Sequence, residues 1–298
     1  MIWIDSKHID IHQYQACLQN VAHPPFYYNP EVLNVLCKNW GAFVQSNANG
    51  YDWVFPVSYK KIGGWYYLNN PFFIQKFEVF GEISNDDLQE LQNQIALKFI
   101  KIKANLATEF KLQNFHLHQV QSRTNCVLNL NSDYAALYAN FAQNHKRNIQ
   151  AAGDLKIIPT NNPSQIITLF KTSEVGKLSN YSEKDYRRLH QIITHPLCVS
   201  FFEVLEVHNS KNECIAGGIF AHFNQKITFI FSGNSPQGYQ EKALFFLLNQ
   251  SIQKYANQPI VLDFEGSDKE SLQRFYLGFG AQKQCYYLHH AKKYKWVI

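Results

Sequence analysis

The feature that most constrains the fold is a succession of elements that appears twice. In the first half, residues 42–58 contain two strand-like runs around a turn at residues 47–50, Asn-Ala-Asn-Gly. The chain turns again at residues 60–64 into a third strand at 65–68. A helix is expected over residues 86–103, with Leu88, Leu91, Ile95, Phe99 and Ile102 on one side. Asp86 and Asp87 sit at its positive end and Lys98, Lys101 and Lys103 at its negative end, as the helix dipole favours. A strand at 115–120 follows. The second half repeats the order: strands at 201–207 and 214–223 around the polar turn 209–212, a third at 226–231, a helix at 240–255 and a strand at 260–264. Two hairpin-like runs, a helix and a strand in each half predict a duplicated α/β architecture with mixed sheets. The boundary falls between residues 131 and 132, giving units of 1–131 and 132–298. The site cleft is expected in the second unit. A helix at 132–152 and a turn at 159–163 lie between the repeated sets.

The final segment, residues 259–288, is read most easily. Ile260, Val261, Leu262 and Phe264 form an apolar strand that closes on Asp263, Glu265 and Gly266. Gly266, Ser267 and Asp268 are turn and cap chemistry, and Glu270 is placed to join the cap. Leu272, Phe275, Tyr276 and Phe279 then share a helical stripe that Gly278 and Gly280 terminate.

Composition excludes several classes. With 298 residues, 46% hydrophobic and 17% charged, the chain can bury large cores and is not disordered. Its 23 Phe and 17 Tyr against one Met point to aromatic-packed sheets. A net charge of +5 is dispersed in pairs such as Lys60–Lys61 and Arg187–Arg188, too thin for binding DNA. Six scattered cysteines form no CxxC pair and read as reduced core thiols. The opening residues have an acid at position 5 and no long apolar run, so neither a signal peptide nor a membrane span is expected, and the cytoplasm is the expected compartment. No histidine pair has a third ligand close in sequence, so no metal site is expected. Phosphate-loop, G-x-S-x-G, H-E-x-x-H and dinucleotide fingerprints are missing from the sequence.

Three short segments carry a resemblance. Residues 144–152, NHKRNIQAA, are similar to a basic helix of the form K-x-R-x-x-I-x-x-A, with Lys146, Arg147, Ile149 and Ala152 nearest to the pattern. Residues 262–267, LDFEGS, are similar to a strand end D-F-x-G. Residues 275–280, FYLGFG, are similar to F-K-x-G-F-G. Taken in order, they resemble the GNAT acyltransferase fold and, in tandem, the FemAB-type aminoacyltransferases, peptidyltransferases built from two GNAT-like domains. The resemblance spans most of the chain. It implies transfer of an acyl or aminoacyl group to a primary amine of a small molecule or peptidoglycan precursor. Acyl-CoA or aminoacyl-tRNA would be the co-substrate, with tRNA as a partner in the second case; no resident cofactor is implied. The chain departs from acetyl-CoA-dependent relatives in the turn Q/R-x-x-G-x-G/A, whose N–H groups cradle pyrophosphate. Residues 232–242 keep Gly233 and Gly238 but carry Pro236, which removes a donor, and Glu241, which repels phosphate. The coiled-coil arm of some tRNA-binding members has no counterpart either.

These residues set the expectations for the site. Asp263 and Glu265 alternate along one strand and so share a face, where two carboxylates can position or deprotonate an ammonium group. Tyr276 is a candidate proton donor. Lys146 and Arg147 are candidates to hold phosphate. Ser232 and Asn234 follow an aromatic strand where substrate would approach, and residues 180–188 read as a substrate-facing segment. Two other readings stand beside transfer: a non-catalytic ligand-binding or assembly protein with this fold, and an ordinary acetyl-CoA-dependent N-acetyltransferase.

Overall fold

The computed structural model describes residues 1–48 and 50–295. The turn expected at 47–50 includes position 49, which lies outside the described residues. In chain order the first elements are β1 (Ile2–Asp5), α1 (Ile11–Gln19), α2 (Pro30–Leu36), β2 (Trp40–Asn47), β3 (Gly50–Ile62), β4 (Trp65–Asn69), β5 (Phe80–Gly81), α3 (Asn85–Lys98), β6 (Phe99–Leu106) and β7 (Leu117–Asn129). They are followed by α4 (Tyr134–Ala139), α5 (Gln143–Gln150), β8 (Lys156–Thr160), α6 (Ser164–Thr172), α7 (Glu174–Lys177) and α8 (Glu183–Thr194). The last are β9 (Phe202–His208), β10 (Cys214–Phe223), β11 (Lys226–Asn234), α9 (Pro236–Gln240), α10 (Ala243–Tyr255), β12 (Val261–Asp263), α11 (Glu270–Leu277) and β13 (Gln282–Lys292).

The duplication expected from the sequence is present in the pairing. In the first unit β1, β2, β3 and β4 pair antiparallel in succession, β6 joins β4 in parallel, and β13 closes antiparallel on β6. In the second, β8, β9, β10 and β11 pair antiparallel, β12 joins β11 in parallel, and the end of β7 closes antiparallel on β12. The last strand of each sheet thus comes from the other half of the sequence. The compact units are accordingly Met1–Thr124 with Cys285–Ile298, and Asn125–Gln284. This differs from division at 131/132 because Tyr287 to Lys292 take their hydrogen bonds from β6, in register Tyr287↔Leu106 to Lys292↔Lys101.

Helix ends moved where local chemistry was stronger than helical spacing. Ser84 caps α3 by accepting from the Asp87 N–H at 3.1 Å, but the helix stops at Lys98 instead of 103. Beyond it Ile100, Ile102, Ala104 and Leu106 are buried at alternate positions, the period of a strand. The helix expected at 132–152 is two helices. Asp133 caps α4, Asn140 ends it, and the Ala142 N–H donates to the Gly278 carbonyl before α5 begins.

The core of the second unit lies between its sheet and helices α4, α5, α10 and α11. Leu247, Leu248 and Ile252 of α10 are fully buried, as is Phe279 at the end of α11. Phe279 meets Phe141, His145, Phe245 and Phe275 edge-on or tilted, with centroids 4.7–6.1 Å apart. The FG dipeptide has a steric reason here. A Cβ on Gly278 would fall on the His145 imidazole, which donates from Nε2 to the Phe275 carbonyl at 2.8 Å. The basic helix and the terminal Gly-rich turn are therefore one packed joint.

In the first unit His289 is fully buried. The Phe110 N–H donates to its Nε2 at 3.4 Å, and its Nδ1 lies 3.2 Å from His118 Nε2, with the two rings stacked. Burial, with the neighbouring His118, pulls His289 down to about 4. The folded state thus refuses a proton that the unfolded chain accepts near pH 6.5, so stability is complete above that pH and declines as pH falls toward 4. Between pH 7 and pH 4.5 the expected decline from this group is about 2 kcal/mol. Urea titrations at pH 7 and pH 4.5 should show it in the native chain and much less in His289→Phe; equal pH dependence in both would refute it.

Candidate functional site

The second unit's parallel pair is short. Lys226, Ile227 and Thr228 lie opposite Val261, Leu262 and Asp263, where β12 ends, while β11 continues to Asn234. Along β10, Phe231 faces Ile219 but Phe229 faces Phe220, so Ile230 is an extra residue in the β11 ladder. A bulge of this kind bends its strand and re-aims the side chains beyond it. Strict alternation would place Phe229 with Phe231. Instead Phe229, Ser232 and Asn234 line one cavity, and Phe231 packs with Phe170, Tyr181 and Tyr186.

That cavity has a volume of about 200 Å³. It is also lined by Leu272, Phe275 and Tyr276 of α11 and by Gly238, Tyr239, Lys242 and Phe245. Three sequence-expected residues, Ser232, Asn234 and Tyr276, meet in it. Asn234 is buried and its Oδ1 has no hydrogen-bond partner among the described residues. Buried acceptors nearly always have a partner, so an orphaned one on a residue of the cavity lining sets this place apart. Gly238 cannot carry a side chain, since its Cβ would strike Asn234 Oδ1 and the Ile215 carbonyl. Tyr276 stacks on Phe264 at 4.5 Å, and burial holds its hydroxyl well above the ordinary phenol range, so it stays protonated at neutral pH.

The two carboxylates separate. Asp263 is buried and does not line the cavity. Its Oδ2 is 2.7 Å from Lys226 Nζ, and its Oδ1 accepts from Asn125 Nδ2 at 2.8 Å and from the Glu265 N–H at 3.0 Å. Burial works to raise this carboxyl, but the Lys226 ammonium and the two hydrogen bonds outweigh it and hold it below the usual range. Asp263 fastens the junction of β11, β12 and β7. Glu265 lies beyond the strand end with φ 39°, so the face shared by strand alternation does not exist. The cause is the turn itself: the Asp263 carboxylate captures the Glu265 N–H, and the backbone enters the left-handed region. Glu265 is half-buried. Its charge helps push the Tyr181 hydroxyl up to about 12, after burial and Tyr186, and Tyr181 in turn contributes to the shift of Tyr276. Glu265, Tyr181 and Tyr276 are thus electrostatically linked beside the end of β12, and Tyr181 belongs to the segment read as substrate-facing.

Lys146 and Arg147 lie on α5, apart from the cavity lining. Lys146 donates to the Ala139 carbonyl at 2.8 Å and sits over the Tyr138 ring. The turn before α10 is closed on itself: Ser235 Oγ accepts from the Gly238 N–H at 3.0 Å, and Pro236 occupies the first position of α9. Lys242, with φ 60°, then starts α10, whose N-terminus has no side-chain cap. Phe229 and Phe245 were not singled out from sequence, and Phe275 was read as part of the helical stripe, because apolar lining and apolar core have the same pattern. The first unit holds a larger hollow of about 510 Å³ bordered by Asp52, Glu82 and Asp87, where no sequence-expected site residue lies. No helix among the described residues is long and apolar enough to cross a membrane.

No protein-family model matches the chain, and no curated protein matches it in sequence. Solved structures do resemble it. FemX is 11% identical, with a TM-score of 0.63 over 96% of this chain and 97% of its own. A conserved protein of unknown function from Bacteroides thetaiotaomicron is 11% identical, with a TM-score of 0.59 over 96% and 98%. A tandem GNAT protein from the clavulanic acid biosynthesis pathway is 8% identical, with a TM-score of 0.54 over 97% of each chain. With its repeated strand order and this likeness along nearly whole chains, the protein has the duplicated GNAT-like fold, like that of FemX and the tandem GNAT protein.

Proposed function

We propose that the protein is an acyltransferase or aminoacyltransferase that acts on a primary amine of a small molecule or cell-wall precursor. The cavity beside the part of β11 that runs past the end of β12 is the observation that most supports this reading, because Ser232 and Asn234 of the strand and a protonated Tyr276 line one hollow. In the proposed step the amine nitrogen attacks the acyl carbonyl, a C–N bond forms and the bond from the acyl carbon to the donor's sulfur or oxygen breaks. Glu265 takes the amine proton and Tyr276 supplies one to the leaving group. A backbone N–H of β11 near the bulge at Ile230 polarises the carbonyl. Ser232 and Asn234 hold the substrate, and Asp263 acts through the strand junction. The uncapped N-terminus of α10 with Lys242 beside it favours an anionic group, as either acyl-CoA or aminoacyl-tRNA would bring. Lys146 and Arg147 would meet only a donor that extends beyond the cavity, which makes them a test for tRNA.

The purified protein should be offered CoA thioesters, aminoacyl-tRNA and nucleotide-linked muropeptides with amine acceptors, with products followed by mass spectrometry and binding by thermal shift. Product from one donor class supports transfer, and loss of that product in Lys146→Glu assigns the tRNA-linked donor. Turnover of acetyl-CoA alone assigns ordinary acetyltransfer. Stabilisation without product from any donor leaves a ligand-binding protein and overturns the proposal.

A further inference from the structure

A second cluster lies at the turn end of the β9–β10 hairpin. Glu206 and His208 are two residues apart on β9 and so share a face, and Cys214, the first residue of β10, is paired across from His208. A carboxylate oxygen, an imidazole nitrogen and the thiol sulfur all lie within 4.8 Å of one another. None of the three residues is fully exposed.

The histidine carries the argument. Its Nδ1 is 3.1 Å from the Asn212 carbonyl and its Nε2 is 2.9 Å from Glu206 Oε2. Both neighbours are acceptors, and a neutral imidazole has one proton to give. With that proton on Nδ1, held by the turn carbonyl, the Nε2 lone pair is aimed at a carboxylate. A divalent cation between them removes the conflict. A ring N–H on a backbone carbonyl is also the arrangement that orients metal-binding histidines. Tetrahedral zinc, with bonds of about 2.0–2.3 Å, needs donor atoms roughly 3.3–3.8 Å apart. Closing from 4.8 Å to that spacing calls for rotation of the Glu206 and Cys214 side chains about their own bonds.

We propose that Glu206, His208 and Cys214 form a site for a zinc-class divalent cation, with the fourth position taken by water or an outside donor. On binding, the Cys214 thiol proton leaves to solvent, sulfur and metal join, and no electron is transferred. The site is an E-x-H-x5-C pattern wrapped around a hairpin. It is invisible as sequence spacing until the register places position 214 opposite 208. The metal-free alternative is a doubly protonated His208 paired with Glu206, while the Cys214 thiol donates to the Ala216 carbonyl at 3.5 Å.

The test is cobalt titration of the full chain after reduction and removal of metals by a chelator. A single equivalent should develop a thiolate-to-cobalt charge-transfer band with tetrahedral d–d bands, and zinc should bleach both. Cys214→Ser should lose the charge-transfer band, while Cys285→Ser, which removes an exposed thiol elsewhere, should keep it. His208→Gln should weaken cobalt binding at least about tenfold. X-ray absorption of the zinc-loaded native protein does not depend on any variant folding and should show one sulfur neighbour among nitrogen and oxygen. Missing cobalt bands, bands that survive Cys214→Ser, or a zinc shell without sulfur would each overturn the proposal.

Discussion

Replacing Asp263 with Ala is expected to lower folding stability by about 3–5 kcal/mol, the usual cost of leaving a buried charge without its partner. The reason is local: Lys226 Nζ sits 2.7 Å from this carboxylate in a site where both side chains are largely buried. Asn125 and the Glu265 N–H lose their acceptor as well. Replacing both members, Lys226→Met with Asp263→Leu, should recover much of the loss, because no charge then remains buried. Denaturant titration of the native chain, the single variant and the double variant measures this directly. A single variant within about 0.5 kcal/mol of the native chain would show that the pair does not hold the strand junction. The sign with pH follows from the depressed carboxyl: its contribution is complete above the ordinary aspartate range and is lost as pH falls through the lower folded value.

Glu265→Gln and Tyr276→Phe are each expected to reduce turnover about 10²–10⁴-fold once the donor and acceptor are in hand, the range for losing a general base or acid. Each replacement keeps the shape of its side chain. Glu265 is half-buried in a turn, so its thermal midpoint should move little, and the lost rate can be assigned to chemistry. Tyr276 is held well above the ordinary phenol range, so the rate should show no loss of its proton between pH 6 and 9. Full activity in Glu265→Gln would remove it from the proposed step, and full activity in Tyr276→Phe would pass the proton to another group, with Tyr181 the next to replace.

Much of the fold was legible before any coordinates. The alternation in β9 to β11, the stripe of α10 and the closing strand–helix–strand are patterns of period 2 and 3.6 that burial enforces. Where two patterns compete, the sequence is ambiguous. Residues 99–103 satisfy the end of an amphipathic helix and the start of an alternating strand, and pairing with β4 decided for the strand. The sequence named residues but not their neighbours in space. Ser232, Asn234 and Tyr276 do meet in one cavity, whereas Asp263 and Glu265 looked equivalent in a strand pattern that ends between them.

The sequence by itself determined that two similar α/β units exist and that the second ends in a tightly packed Gly-rich joint, because periodicity and steric demand are local properties. Only the tertiary structure decided which strand completes which sheet, since hydrogen-bond partners far apart in sequence leave no spacing to read. The same holds for the bulge at Ile230, which brings Ser232 and Asn234 onto the face of Phe229, for the burial of Asp263 against Lys226, and for the register that sets Cys214 opposite His208. Each depends on one backbone ladder sliding a single residue against another, and that one step decides which face a side chain takes.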